Sequence, residues 1–235
     1  MADNGATSVF AGLLARMARE SAGKSWVPRA PLLLVLAWFF VQHARDFSHH
    51  TIVSGINLVM HEGGHLFFMW FGVDFLTVAG GTLFQLVIPV LVAGAFFRQQ
   101  DHFGVAVALF WFGISLAEVG PYAADARWQL LPLVSPFPGA PLHDWHYLLS
   151  TLGVLAHDQE IGKAFHHSGV LVMASAFALG IWVLRCMARA PKGVEMRGVR
   201  STRAPTEPRP PGPGGPPHPA EHHRREEEKV PSTFG

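Results

Sequence analysis

Between positions 28 and 188 the chain alternates long apolar runs with short polar or proline-bearing breaks. A helix that spans a bilayer needs about 20 mostly apolar residues, and about 17 at the least. Runs that meet or approach that length cover 28–44, 51–72, 83–97, 103–119 and 168–187, so the pattern predicts five spans. A shorter helical run, 144–155, is read as completing a sixth crossing as part of a broken helix. Between the second and third runs, 73–82 carries Gly80 and Gly81 and is too short to span. It reads as an extended or re-entrant piece, which membrane depth tolerates only where protein or water covers the backbone. The fold class expected is an all-α polytopic membrane protein, with about six transmembrane or partly spanning helices and this glycine-rich segment after the second.

Three regions follow. Residues 1–27 mix Arg16, Arg19, Glu20 and Lys24 with a weakly amphipathic run, as an interfacial, cytoplasmic segment would. Residues 28–188 form the transmembrane domain. Residues 189–235 are rich in proline, glycine and charge, cannot bury a core, and read as a disordered tail. Basic residues flank the first and last runs, which puts both termini in the cytoplasm and requires an even number of crossings.

Composition agrees with a membrane protein. Of the 235 residues 49% are hydrophobic and only 15% are charged, and mean hydropathy is +0.25. The lipid bilayer is thus an expected partner. A formal net charge of +1 gives no reason to expect nucleic acid. A single cysteine, Cys186, excludes an internal disulfide framework and a cysteine-rich zinc site within one chain. The compact chain points to a multi-pass protein of a bacterial inner membrane.

Against this apolar background the segment His61-Glu62-Gly63-Gly64-His65 stands out. It lies roughly 15 Å into the second helix at 1.5 Å per residue, where ionisable groups are expensive and functional by default. Histidines four apart share a helix face and can reach one metal ion, and Glu62 between them is placed to act as a base. Zinc in hydrolytic sites takes a third protein ligand. No local extension of the motif supplies one, so it must come from elsewhere: Asp144, Asp125, Glu118, Asp74, His143 and His146 are the candidates. Asp144 is preferred, although a carboxylate opening a helix also has a capping role. Asn57, one turn before His61, is expected to hydrogen-bond within the site or to a neighbouring helix. Gln85 is expected to bond a substrate backbone or a neighbouring helix.

The His61–His65 segment resembles the motif of the site-2 protease family of intramembrane zinc metallopeptidases, in its narrower HExGH form. The family's third ligand is an aspartate after a Leu-Pro turn, and Leu131-Pro132 followed by Leu142-His143-Asp144 looks like a stretched version. The resemblance covers roughly positions 51–155. It departs in lacking a glycine after Asp144, in the longer gap, and in leaving no room for a PDZ domain. It implies Zn²⁺ held by His61, His65 and Asp144, with Glu62 as catalytic base. It also implies a transmembrane protein substrate that unwinds locally and pairs with the stretch around Gly80, Gly81 and Gln85. Two rival readings stand beside it. A di-iron hydroxylase or desaturase would use His61, His65, His143, His146, His166 and His167, with His49 and His50 in reserve, but leaves Glu62 unexplained. A catalytically inactive zinc-binding membrane protein would need only the ligands.

Overall fold

A computed structural model of the chain describes residues 4–133 and 142–189. The tail expected at 189–235 lies outside the described residues from position 190 onward. Among the described residues the fold is all-α, with seven α-helices and no strand. They are α1 (Asn4–Ser21), α2 (Ala30–Arg45), α3 (Ile52–Phe68), α4 (Asp74–Arg98), α5 (His102–Ala124), α6 (Asp144–Thr151) and α7 (Asp158–Ala188).

Four stretches are long and apolar enough to cross a membrane: Val27–Arg45, Asp74–Arg98, His102–Ala124 and Leu155–Ala188. The protein is therefore a multi-pass integral membrane protein; among the described residues four stretches meet that measure, where the sequence led to about six transmembrane or partly spanning helices. Helix α3 has 17 residues and α6 has 8, and neither is among the four. Apolar side chains on the outside agree with lipid contact: Leu34, Val59 and Leu91 are mostly exposed.

The largest correction concerns 73–82. This stretch is not extended or re-entrant, because it forms the first turns of the 25-residue helix α4. Glycine costs about 1 kcal/mol in a helix interior relative to alanine. Here the two glycines face α3, where a side chain has no room. A Cβ on Gly80 would meet the ring of Phe68, and one on Gly64 would meet the Gly80 carbonyl. Close approach of two backbones, which small residues permit in membranes, replaces the packing a larger residue would give. The true break is one step earlier, at Gly72, whose φ of 65° ends α3 and its following 3₁₀ turn in the left-handed region.

The centre of the bundle is α5 against α7. Gly113 and Gly120 on α5 lie against Gly169 and Gly162 on α7, each where a Cβ would press on the other helix. Phe110, Ile114 and Met173 fill the core between them. The run read as 103–119 continues as helix α5 through Gly120-Pro121, where the proline marked its end, to Ala124. Proline lacks an N–H, so Pro121 leaves the Ala117 carbonyl without its helical partner. The ring of buried His166, on α7, brings Nδ1 to 3.4 Å from that oxygen. Helix α7 in turn starts at Asp158, ten residues ahead of the expected 168. Asp158 is fully buried and is held by Arg127, with N···O distances of 2.6 and 2.8 Å.

The two ends of the bundle are distinguishable. At one end, Glu20 reaches His102 at 2.7 Å and Lys24 donates to the Gln100 carbonyl at 2.6 Å, tying the α1–α2 junction to the α4–α5 turn. At the other, Arg127 and Gln159 join the end of α5 to the start of α7. Helix α6 follows this second end.

Candidate metal centre

Helix α3 opens with Thr51, whose Oγ1 accepts the Val53 N–H while Ser54 Oγ accepts the Thr51 N–H. That cap sets the phase of the helix. Asn57 and His61 then turn inward and are buried, and Glu62 and His65 are partly buried. The structure brings His61 and His65 together with Asp144. His61 Nε2 lies 2.7 Å from Asp144 Oδ2, and His65 Nε2 lies 3.2 Å from the same oxygen. The three donor atoms fall within 4.8 Å of one another, forming a triad able to chelate a metal ion.

Three observations test the fit. Four ligands at 2.0–2.1 Å from a tetrahedral ion stand about 3.3 Å apart, close to the spacing found. His65 Nδ1 is 2.9 Å from the Thr77 carbonyl, an oxygen that can only accept. That carbonyl calls for the proton on Nδ1, which would leave the Nε2 lone pair available to a metal ion. Gly81 supplies the third. A Cβ there would come within 2.6 Å of His65 Nε2 and 2.7 Å of His61 Nε2, so the imidazoles occupy space that only glycine leaves. The donor set suits a divalent transition metal.

Asp144 does not cap α6, as its position had suggested. His143 is the N-cap, with Nδ1 accepting the His146 N–H at 3.2 Å. The Asp144 carboxylate is thereby free to face the histidines, while its N–H donates to the Tyr122 hydroxyl at 3.1 Å. The other candidates are engaged elsewhere. Asp125 accepts the N–H groups of Leu130 and Leu131, Asp74 is exposed in the first turn of α4, and His146 Nδ1 donates to the Ala126 carbonyl. Glu118 accepts from Ser54 Oγ and from Asn57 Nδ2, the latter at 2.6 Å.

Of the two expectations for Asn57, the contacts found are those to a neighbouring helix, α5. Its Oδ1 accepts from Trp111 Nε1 at 2.8 Å and from Ser115 Oγ at 3.1 Å. An indole N–H is a donor only, so this contact fixes which way the amide points. Gln85 donates to the Ser115 carbonyl at 3.3 Å. Tyr122, which the sequence reading passed over, stands beside His61 with ring centroids 5.9 Å apart. Only its place one turn after Glu118 hinted at a shared face.

The triad opens into a cavity of about 600 Å³. Glu62, Gln85, Glu118 and Tyr122 line it along with the triad, and Leu131 and Leu142 form part of its apolar wall. Glu62 makes no hydrogen bond among the described residues and faces this space beside the ligands. The loop positions 134–141, within the stretched Leu-Pro to Asp segment, lie outside the described residues. The histidines of the di-iron reading do not join the triad: His166 and His167 approach the Ala117 and Lys163 carbonyls instead. Comparison with protein-family models, curated proteins and solved structures finds no match for this chain.

Proposed function

We propose that the protein is an intramembrane zinc metalloprotease of the site-2 protease type, hydrolysing a peptide bond in or near a transmembrane helix of a protein substrate. The observation that carries this reading is the meeting of Asp144 with the two motif histidines on one side of a cavity that Glu62 also lines. Two histidines and a carboxylate leave a fourth position open, as in hydrolytic rather than structural zinc sites.

In this reading His61, His65 and Asp144 hold Zn²⁺, and Tyr122 steadies Asp144 through its backbone N–H. When bound, the ion supplies Lewis acidity and makes water a nucleophile near neutral pH. Glu62 accepts the proton of the attacking water and returns it to the leaving amine. Gln85 bonds the substrate backbone from the cavity wall. Gly80 and Gly81 act by letting α4 close on α3, and Asn57 acts by orienting its polar neighbours. The apolar walls exclude bulk water around an unwound stretch of substrate.

The proposed organisation is a catalytic domain over 28–188, an interfacial segment at 1–27 and a proline-, glycine- and charge-rich tail at 189–235. Arg16, Arg19, Lys24, Arg29 and Arg98 gather at the α1–α2 end, which the positive-inside rule makes cytoplasmic, in a bacterial inner membrane.

The test is metal content and cleavage measured together on detergent-purified wild type and Glu62→Gln, with labelled transmembrane peptides. The expected result is about one zinc per chain in both proteins, with the cleavage rate of the variant lower by about 10²–10⁴. Iron in place of zinc, or undiminished cleavage by the variant, would sink the assignment.

A further inference from the structure

Glu118 is the one carboxylate of the cavity outside the proposed zinc chemistry. It sits on α5, partly buried and open to the cavity, and no Lys or Arg pairs with it among the described residues. Removing a carboxylate from water without a cation is costly. Here Ser54 Oγ donates to Oε1 and Asn57 Nδ2 donates to Oε2. The Asn57 amide cannot turn over, because its oxygen is held by Trp111 Nε1 and Ser115 Oγ. Ser54 Oγ is oriented by the Thr51 N–H, which leaves its own hydrogen for Glu118. Both oxygens thus accept from donors held in place by other contacts. A carboxylate has about four acceptor directions, and these two bonds leave the others free. His50 lines the same cavity without bonding to Glu118.

We infer that Glu118, with Ser54 and Asn57 as its fixed supports, is a substrate-recognition subsite for a cationic side chain, lysine or arginine. This rests on the protease reading and adds a specificity to it. Ser54 and His61 lie on the same helix, about 10 Å apart at 1.5 Å per residue. An extended peptide covers that distance in about three residues. The subsite therefore reads a basic residue about three positions from the scissile bond, and that residue supplies the Lys or Arg partner that Glu118 lacks among the described residues. A metal is a poor occupant, because Glu118 is joined by an amide and a hydroxyl and by no second carboxylate or imidazole.

The experiment uses the full chain carrying Glu62→Gln, which binds without turnover, and paired apolar peptides. The members of each pair differ only in lysine against norleucine, placed two, three or four positions to either side of a central bond. For at least one placement the lysine peptide is expected to bind roughly tenfold more tightly, a modest value for a charge-assisted hydrogen bond. Adding Glu118→Gln brings the ratio close to one, with unchanged zinc content reporting an intact fold. A ratio near one at every placement on the Glu62→Gln protein overturns the inference without any second variant. So does a preference that survives Glu118→Gln, and so does failure of both peptides to bind. Cleavage of the lysine peptides by wild type is scored separately: its absence beside a clear lysine preference would discard the protease reading and keep the cation subsite.

Discussion

Asp144 Oδ2 lies 2.7 Å from His61 Nε2, although the two residues are 83 positions apart in the chain. A short eight-residue helix delivers the carboxylate, and a histidine next to it does the capping. Asp144→Asn keeps the shape and removes the charge. Metal affinity is expected to fall by at least about 10–100-fold. Dialysis against graded chelator, followed by metal analysis, measures it; retention equal to wild type would remove Asp144 from the ligand set.

Glycine positions inside and beside the motif separate cleanly. A Cβ on Gly63 would find its nearest neighbour, Phe84, at an ordinary 3.9 Å, whereas one on Gly81 would press on both imidazoles. Gly63→Ala is expected to be neutral or to stabilise by up to about 1 kcal/mol through helix propensity. Gly81→Ala is expected to cost about 1–3 kcal/mol and to lower metal content, since the rings must move. Thermal scanning of both variants in one detergent decides the matter; equal melting temperatures would contradict the contact.

Tyr122→Phe deletes the acceptor of the Asp144 N–H while leaving the ring against His61 and His143. The expected loss is about 1 kcal/mol of stability, with metal affinity lowered by up to about tenfold. Affinity unchanged within error would show that Asp144 needs no such support.

Acid should loosen α1 before the rest of the bundle. Hydrogen bonds from Arg16 and then His102 hold the Glu20 carboxyl below its ordinary range. A depressed carboxyl stabilises the fold above its unfolded value, and that contribution disappears as pH falls through the folded one. Hydrogen exchange of 4–21 is expected to accelerate on mild acidification in wild type, and to do so less in Glu20→Gln. The same acid response in both would show that α1 is held by other means.

Much of this site was legible in the chain. The spacing of His61, Glu62 and His65 in an apolar run identified one helix face, and the preference for Asp144 matches the triad found. What the sequence hid were compensations made across helices. Gly80 and Gly81 read as a break because the partners that fill their missing side chains, Phe68 and the two imidazoles, belong to α3. Pro121 read as a stop because the ring facing the carbonyl it frees comes from α7. Runs 51–72 and 144–155 resemble spans in the sequence; the first forms α3 and a 3₁₀ turn up to Phe71, and the second only the eight-residue α6 before its own break at Gly153. Asn57 was placed on the right face with bonding to a neighbouring helix left open, and nothing in the chain names Trp111 and Ser115 as the partners found there.

The contact at Gly81 also limits the directions from which anything can reach the triad. Helix α4 seals one flank of both imidazoles at its backbone, and the Thr77 carbonyl occupies the outer nitrogen of His65. Among the described residues Glu62, Leu131 and Leu142 line the cavity beside the triad. On the proposed reading a substrate enters from that cavity, with the α4 backbone behind the imidazoles.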